Sequence, residues 1–315
     1  MPAPVERAVV LGAAGFIGTN LAHALVRKGV RVALFDRNVS AHWPAAADVL
    51  TGDLAAPPAE LLDAMQDAAV FHLAGHTRPS MSTAAVAAEL QSEVAMTTGL
   101  LELSREVRAR WVFVSSGGAV YGEALTPTIP ETHPTDPISS YGIAKLAAEH
   151  YFRLYRRLHG TRYVVARLSN PFGPQQRTKS GQGIVPAIYD RLRRGKAVEI
   201  WGDGSVVRDY VFIDDVAAAL VRLAEAGEDG RTYNVGSGVG TSIEQLVGQV
   251  ARQLGVEPAV VRKPGRLIDV GRNVLDIARI RTETGWTPEH SLTEGLRKTF
   301  ALLGEPEKAE TGTGQ

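Results

Sequence analysis

The 315-residue chain has no cysteine, which excludes a disulfide, a thiol nucleophile and a cysteine-ligated metal. It also lacks a charge imbalance. Thirty-four Lys+Arg face 34 Asp+Glu, so no net field draws it to nucleic acid or to an anionic membrane. No apolar run approaches a bilayer span, and "MPAPVERAVVLGAAG" lacks the basic stretch and apolar core of a secretory leader. These absences lead us to expect a cytoplasmic protein with no metal and with neither nucleic-acid nor membrane partners. What is present, 44% hydrophobic and 22% charged residues, is ordinary for a globular enzyme. The length suits one large α/β unit or two domains sharing a cleft.

Through residue 170 short β-rich runs alternate with helix-length amphipathic segments. Strands are expected at Ala8–Leu11, Val32–Phe35, Asp48–Thr51, Val70–Leu73, Trp111–Ser115 and Tyr163–Leu168. Helices are expected at Phe16–Lys28, Thr83–Val107 and Ser139–Leu158. That alternation predicts an α/β fold, a Rossmann-type doubly wound parallel sheet. Beyond 170 the rhythm breaks into Gly/Pro-rich loops such as "NPFGPQQRTKSGQG". We therefore expect a dinucleotide-binding domain over 1–169, a smaller loop-rich substrate lobe over 170–303 interwoven with it, and a disordered polar tail over 304–315.

"VVLGAAGFIG" sets Gly12, Gly15 and Gly18 directly after a strand and at the opening of a helix, with Phe16 and Ile17 between the last two. Glycines there let the backbone approach a pyrophosphate, and the helix N-terminus offers it unpaired N–H groups. A lone fingerprint of this kind also fits a plain strand–helix turn, so the surroundings decide. Asp36 ends the second strand, where a carboxylate can accept ribose hydroxyls. Asp53 and Leu54 in "TGDL" follow the third strand, and Leu73, Ala74 and Gly75 in "FHLAGHT" end the fourth. Arg37 beside Asp36 fits either an ion pair or a 2′-phosphate contact, and NAD is expected over NADP.

"YGIAK" places Tyr141 and Lys145 four residues apart, on one face of a helix start. A phenol with an unperturbed pKa of about 10 is a poor base at neutral pH. A nearby ammonium favours the phenolate and brings proton transfer into range. "SSGGAVYG", residues 115–122, adds two serines and a glycine pair at a strand exit, where glycine suggests close approach of a ligand or another backbone.

Together "GAAGFIG", "GDL", "HLAG", "VYG", "YGIAK", "NPFGP", "WGDGSVVRDYVFIDD" and "YNVGSG" resemble, in order and spacing, the extended short-chain dehydrogenase/reductases of the NAD-dependent nucleotide-sugar epimerase/dehydratase family. The resemblance runs from about residue 7 to 302. It implies Tyr141 as catalytic base, Lys145 holding the nicotinamide ribose, and a hydroxyl near "SSGG" bonding the sugar oxygen. The family's usual Ser/Thr falls on Gly117, which has none. Either Ser116 reaches into the site, with Ser115 by the cofactor, or Tyr141 works alone with a water. Dehydratases of the family carry an acidic pair where Gly118 and Ala119 stand, and decarboxylating relatives a glutamate at Ala119. The 3,5-epimerases use a cysteine.

What is left is 4-epimerisation of the UDP-glucose/UDP-galactose type, by transient oxidation at sugar C4, rotation of the 4-keto sugar and return of the hydride. A 4-ketoreductase using exchangeable NAD(P)H and a non-catalytic dinucleotide-binding sensor or scaffold are the alternatives. For the nucleoside-diphosphate sugar, a UDP-sugar foremost, the resemblance implies Asn170 and Arg208 at the diphosphate and Val185 and Pro186 at the base, with Trp201 flanking it. Lys263 and Arg266 in "KPGR" replace an arginine and a carboxylate of the family, and Asn273 corresponds to the residue gating bulky C2 substituents. Glu93 departs from the family's Asn or Asp. Relatives pair the helices matching Thr83–Val107 and Ser139–Leu158 across a two-fold axis, so a homodimer is expected.

Overall fold

The computed structural model describes residues 4–75, 86–176, 183–265 and 270–303. In chain order the first elements are β1 (Arg7–Leu11), α1 (Phe16–Arg27), β2 (Arg31–Asp36), β3 (Asp48–Thr51), α2 (Ala59–Met65) and β4 (Ala69–His72). Next, α3 (Val86–Leu90) passes through one π-helical turn (Gln91–Ala95) into α4 (Met96–Leu103). There follow β5 (Arg110–Ser116), α5 (Ser140–His159), β6 (Arg162–Leu168), β7 (Asn170–Phe172), α6 (Ile184–Arg193), β8 (Val198–Trp201) and β9 (Val207–Phe212). The remainder is α7 (Ile213–Ala226), β10 (Thr232–Val235), β11 (Gly240–Ser242), α8 (Ile243–Leu254), β12 (Val260–Lys263), β13 (Arg272–Asn273), α9 (Ala278–Thr284) and α10 (Leu292–Leu303).

The main sheet has seven strands in the order β10-β6-β5-β4-β1-β2-β3, every described pair parallel. The chain starts in the middle, winds outward through β3, then returns to β4 and winds the other way. This is the expected doubly wound sheet, with its switch point between β1 and β4. Helices cover both faces, so the strands are apolar throughout rather than alternating. Ala8 and Val10 of β1 pack into one layer with α1 and α7, while Val9 and Leu11 pack into the other with Phe113 and Phe152. Each such buried Val, Leu or Phe side chain contributes about 1.5–3 kcal/mol of transfer free energy.

Two smaller sheets lie beyond, one of β11, β9, β13 and β7, the other of β12 and β8. The segment after residue 170 also returns β10 to the edge of the main sheet, beside β6. The helix expected over 83–107 is described from Val86, carries a π turn at Gln91–Ala95 and ends at Leu103, short of Val107. Among the described residues, no helix is long and apolar enough to cross a membrane, and no cluster of His, Asp or Glu suits a metal ion.

Candidate active site

The carboxyl ends of β1, β4, β5 and β6 open into a cleft of about 860 Å³. Its floor begins at Gly12, whose φ of +83° disfavours any side chain and whose Cβ would lie 2.7 Å from the Ala74 amide nitrogen. A Cβ on Gly18 would lie 2.5 Å from the Gly12 carbonyl oxygen, so α1 can pack this close to the turn only with glycine there. Helix α1 starts at Gly15 with no side-chain cap. Phe16, Ile17 and Gly18 line the cleft, and the first amides of the helix are left for an anion.

An adjoining hollow is lined by Asp36, Arg37, Asp53, Leu54, Leu73, Ala74 and Gly75. Asp36 Oδ2 accepts the Ala14 amide (3.0 Å) and Oδ1 the Asn38 amide (3.2 Å), which holds the carboxylate at the strand end. Arg37 donates to both carboxylate oxygens of Asp53 at 3.1 Å. The residues present therefore fit a dinucleotide: a glycine cradle for the diphosphate, an uncapped helix start, and a carboxylate at the ribose end.

On the opposite wall stand Ser116, Tyr141 and Lys145. Ser139 caps α5 by accepting the Gly142 amide at 3.1 Å, which fixes where the helix begins. Gly142 packs against the turn after β5, where a Cβ would meet the Ala119 carbonyl. That close approach brings Tyr141 and the "SSGG" corner to one place. Lys145 is buried, with Nζ 2.7 Å from Glu93 Oε1 and 3.2 Å from the Val114 carbonyl. Burial opposes its charge, but Glu93 and Tyr141 favour it more, and its pKa is raised.

The two serines part company, as neighbours on a strand do. Ser116 lines the cleft, whereas Ser115, expected by the cofactor, is buried and donates to Glu149 Oε1 at 2.5 Å. Glu149 in turn holds Arg167 through contacts of 2.6 and 3.0 Å. Gly117 is also turned away, since a Cβ there would face Leu275 rather than the cleft.

The sugar-nucleotide residues divide similarly. Asn170, Val185, Trp201 and Arg208 all line the cleft. Asn170 donates to the Asp209 carbonyl at 3.1 Å, and Arg208 is oriented by the carbonyls of Val207 (2.9 Å) and Val270 (2.7 Å). Pro186 is buried on the next position of α6. Asn273 departs from expectation: it is 1% exposed and spends its amide on the Gly117 carbonyl at 3.0 Å, because β13 packs against the "SSGG" corner. Lys263 stands on the exposed strand β12, outside the cleft lining, its carbonyl accepting the Gly202 amide. Arg266 lies outside the described residues.

Several cleft residues escaped the sequence reading, three of them with a buried polar atom unpartnered among the described residues. Ser169, Gln176 and Tyr210 line it, and Ser169 Oγ, Gln176 Oε1 and the Tyr210 hydroxyl are buried without a partner among the described residues. Buried polar atoms of this kind call for a partner that a ligand can supply. Their only signal was adjacency to Asn170 in "SNPFGPQQ" and to Arg208 in "RDY".

Fold and site together define a dinucleotide-dependent enzyme of the short-chain dehydrogenase/reductase type. The chain belongs to the NAD dependent epimerase/dehydratase family, whose profile matches residues 8–236. It is 34% identical over 311 residues to the UDP-glucose 4-epimerase of Mycolicibacterium smegmatis, covering 94% of this chain and 98% of that protein. The structure of UDP-glucose 4-epimerase with UDP-glucose from Thermotoga maritima superposes with a TM-score of 0.88 at 32% identity, over 95% of this chain and 98% of that one. A double mutant of a dTDP-glucose 4,6-dehydratase, DesIV of Streptomyces venezuelae with NAD bound, superposes with a TM-score of 0.86 at 26% identity, over 95% and 97%. The expected family and its NAD dependence are thus established, at the level of nucleotide-sugar epimerases and dehydratases.

Proposed function

We propose that the protein is a nucleoside-diphosphate-sugar 4-epimerase that retains its NAD, with a UDP-sugar as substrate. The observation that carries this is the composition of one cleft wall. Tyr141, Lys145 and Ser116 gather there, while Gly118 and Ala119, beside Ser116, offer no second acid for eliminating water. Epimerisation needs only a base, a resident two-electron acceptor and room for the sugar to turn.

Gly12, Gly15, the start of α1, Asp36 and Lys145 would hold NAD, which when bound supplies a reversible acceptor for the hydrogen on sugar C4. Tyr141 takes the proton from the 4-hydroxyl and later returns it. The ammonium of Lys145 favours the phenolate at the moment of transfer. Ser116 donates a hydrogen bond to the sugar 4-oxygen as its charge changes. Arg208, a planar donor of paired N–H groups, suits the diphosphate, and Asn170 and Val185 frame the nucleotide end. One cleft joins the glycine cradle to the Ser116–Tyr141 wall, so the cofactor and the sugar would meet in a single space.

The test is incubation of purified protein with a panel of UDP-, dTDP-, GDP- and CDP-sugars, followed by NMR of the sugar C4 proton. Interconversion of C4 epimers without net cofactor turnover is expected. Stoichiometric NAD(P)H consumption would identify a 4-ketoreductase, and loss of water a dehydratase.

We also propose a homodimer. Helices α4 and α5 expose Leu103, Ile143, Leu154 and Leu158, apolar side chains that a two-fold related copy would cover.

A further inference from the structure

Glu93 takes no part in the steps above, yet it is the most deeply placed carboxylate beside the chemistry. It is 0% exposed, at the centre of the π-helical turn between α3 and α4, while Leu90 and Gln91 just before it are exposed. Isolated π turns are costly and recur at functional sites. Oε1 accepts from Lys145 at 2.7 Å, and Oε2 has no partner among the described residues. Gly75 makes room for it, since a Cβ there would lie 2.5 Å from Oε2 and 3.6 Å from Lys145 Nζ.

The other elements packed around Lys145 bring it few sources of negative charge. Strand β5 supplies the Val114 carbonyl and the face of Phe113, 5.1 Å from Nζ. Strand β4 supplies His72, which burial and the lysine hold neutral, its pKa lowered to about 3. Helix α5 supplies Tyr141 and also Glu149, the latter with its carboxylate bound by Arg167 and Ser115. Among the described residues, Glu93 alone is a carboxylate hydrogen-bonded to the amine. An ammonium buried without a counter-ion sheds its proton. A neutral amine would no longer favour the Tyr141 phenolate.

We propose that Glu93 is a positioning residue acting through Lys145, the buried counter-ion that keeps the amine protonated and fixed beside Tyr141. This rests on Tyr141 being the base.

The test reads Lys145 directly, in protein labelled with ¹³Cε-lysine and without any sugar, with Lys145→Met assigning the signal. In Glu93→Gln the Lys145 titration midpoint should fall by about one pH unit or more, the size expected for losing a close opposite charge. Glu93→Asp keeps the charge and should leave the midpoint within about half a unit of the wild type. In turnover, Glu93→Gln should bring the alkaline limb of kcat down with the lysine. Should the glutamine variant fail to fold, Glu93→Asn makes the same prediction with a smaller side chain. An unmoved Lys145 midpoint in the uncharged variants, or an equal fall in Glu93→Asp, overturns the proposal and leaves Glu93 as packing. Failure to turn over any sugar would sink the proposed function without touching this result.

Discussion

Restoring the hydroxyl that the family carries at Gly117 should harm this protein rather than improve it. A Cβ on Gly117 would lie 2.7 Å from Leu275 Cδ1, 3.0 Å from Cδ2 and 3.3 Å from the Arg167 carbonyl oxygen. The first distance falls 0.7 Å short of the 3.4 Å at which ordinary contact begins. Leu275 cannot swing aside freely, because it is fully buried with Val120, Tyr121 and Ile129, and its amide is held by Asp209. Overpacking of this size costs about 1–3 kcal/mol. For a chain of this length Gly117→Ser should therefore lower Tm by about 2–6 °C. Leu275→Ala alone should cost about 2–5 kcal/mol. In the double variant each change relieves the other, so the total should fall below the sum by about 1 kcal/mol or more. Thermal and denaturant unfolding of the four proteins measure this cycle. In a Ser116→Ala background, Gly117→Ser should also fail to restore turnover, since its side chain faces Leu275 and not the cleft. A Gly117→Ser protein with wild-type Tm, no coupling to Leu275 and recovered turnover would refute the reasoning.

Ser116→Ala should lower kcat by about 10–1,000-fold, with NAD affinity retained in a fluorescence titration, while Tyr141→Phe should abolish turnover; a silent Ser116→Ala would assign the proton transfer to Tyr141 alone. NAD should bind far more tightly than NADP, because Asp36 repels a 2′-phosphate and Arg37 is engaged by Asp53; equal affinities in the same titration would contradict this. His72, fully buried with a folded pKa of about 3 against 6.5 unfolded, binds its proton only in the unfolded chain between those values. Its contribution is therefore complete above pH 6.5 and lost as pH falls, by about 1.4 kcal/mol per unit, and His72→Asn should flatten that slope in urea unfolding between pH 6.5 and 4.5. Light scattering at micromolar concentration should report a dimer, and Leu154→Arg should yield a monomer.

Local chemistry made much of this protein readable without coordinates. The glycines of "GAAGFIG" and the carboxylate at Asp36 pointed to a dinucleotide, because glycine permits the close backbone approach and a carboxylate at the strand end suits a ribose. Strand–helix alternation announced the doubly wound sheet in the same way, since period and length are local properties. The Tyr141–Lys145 pair was legible from four-residue spacing on one helix. Tertiary structure decided what spacing cannot carry. Which serine faces the cleft depended on the pleat at the end of β5 and on Glu149, 34 residues away from Ser115, reaching across from α5. Asn273 was taken out of the cleft by a bond to the Gly117 carbonyl, 156 residues distant. Glu93 reads as an ordinary helical acid among its neighbours in sequence. It becomes the lysine's counter-ion only because a π turn and the bare backbone of Gly75 let it sink to 2.7 Å from an amine 52 residues on.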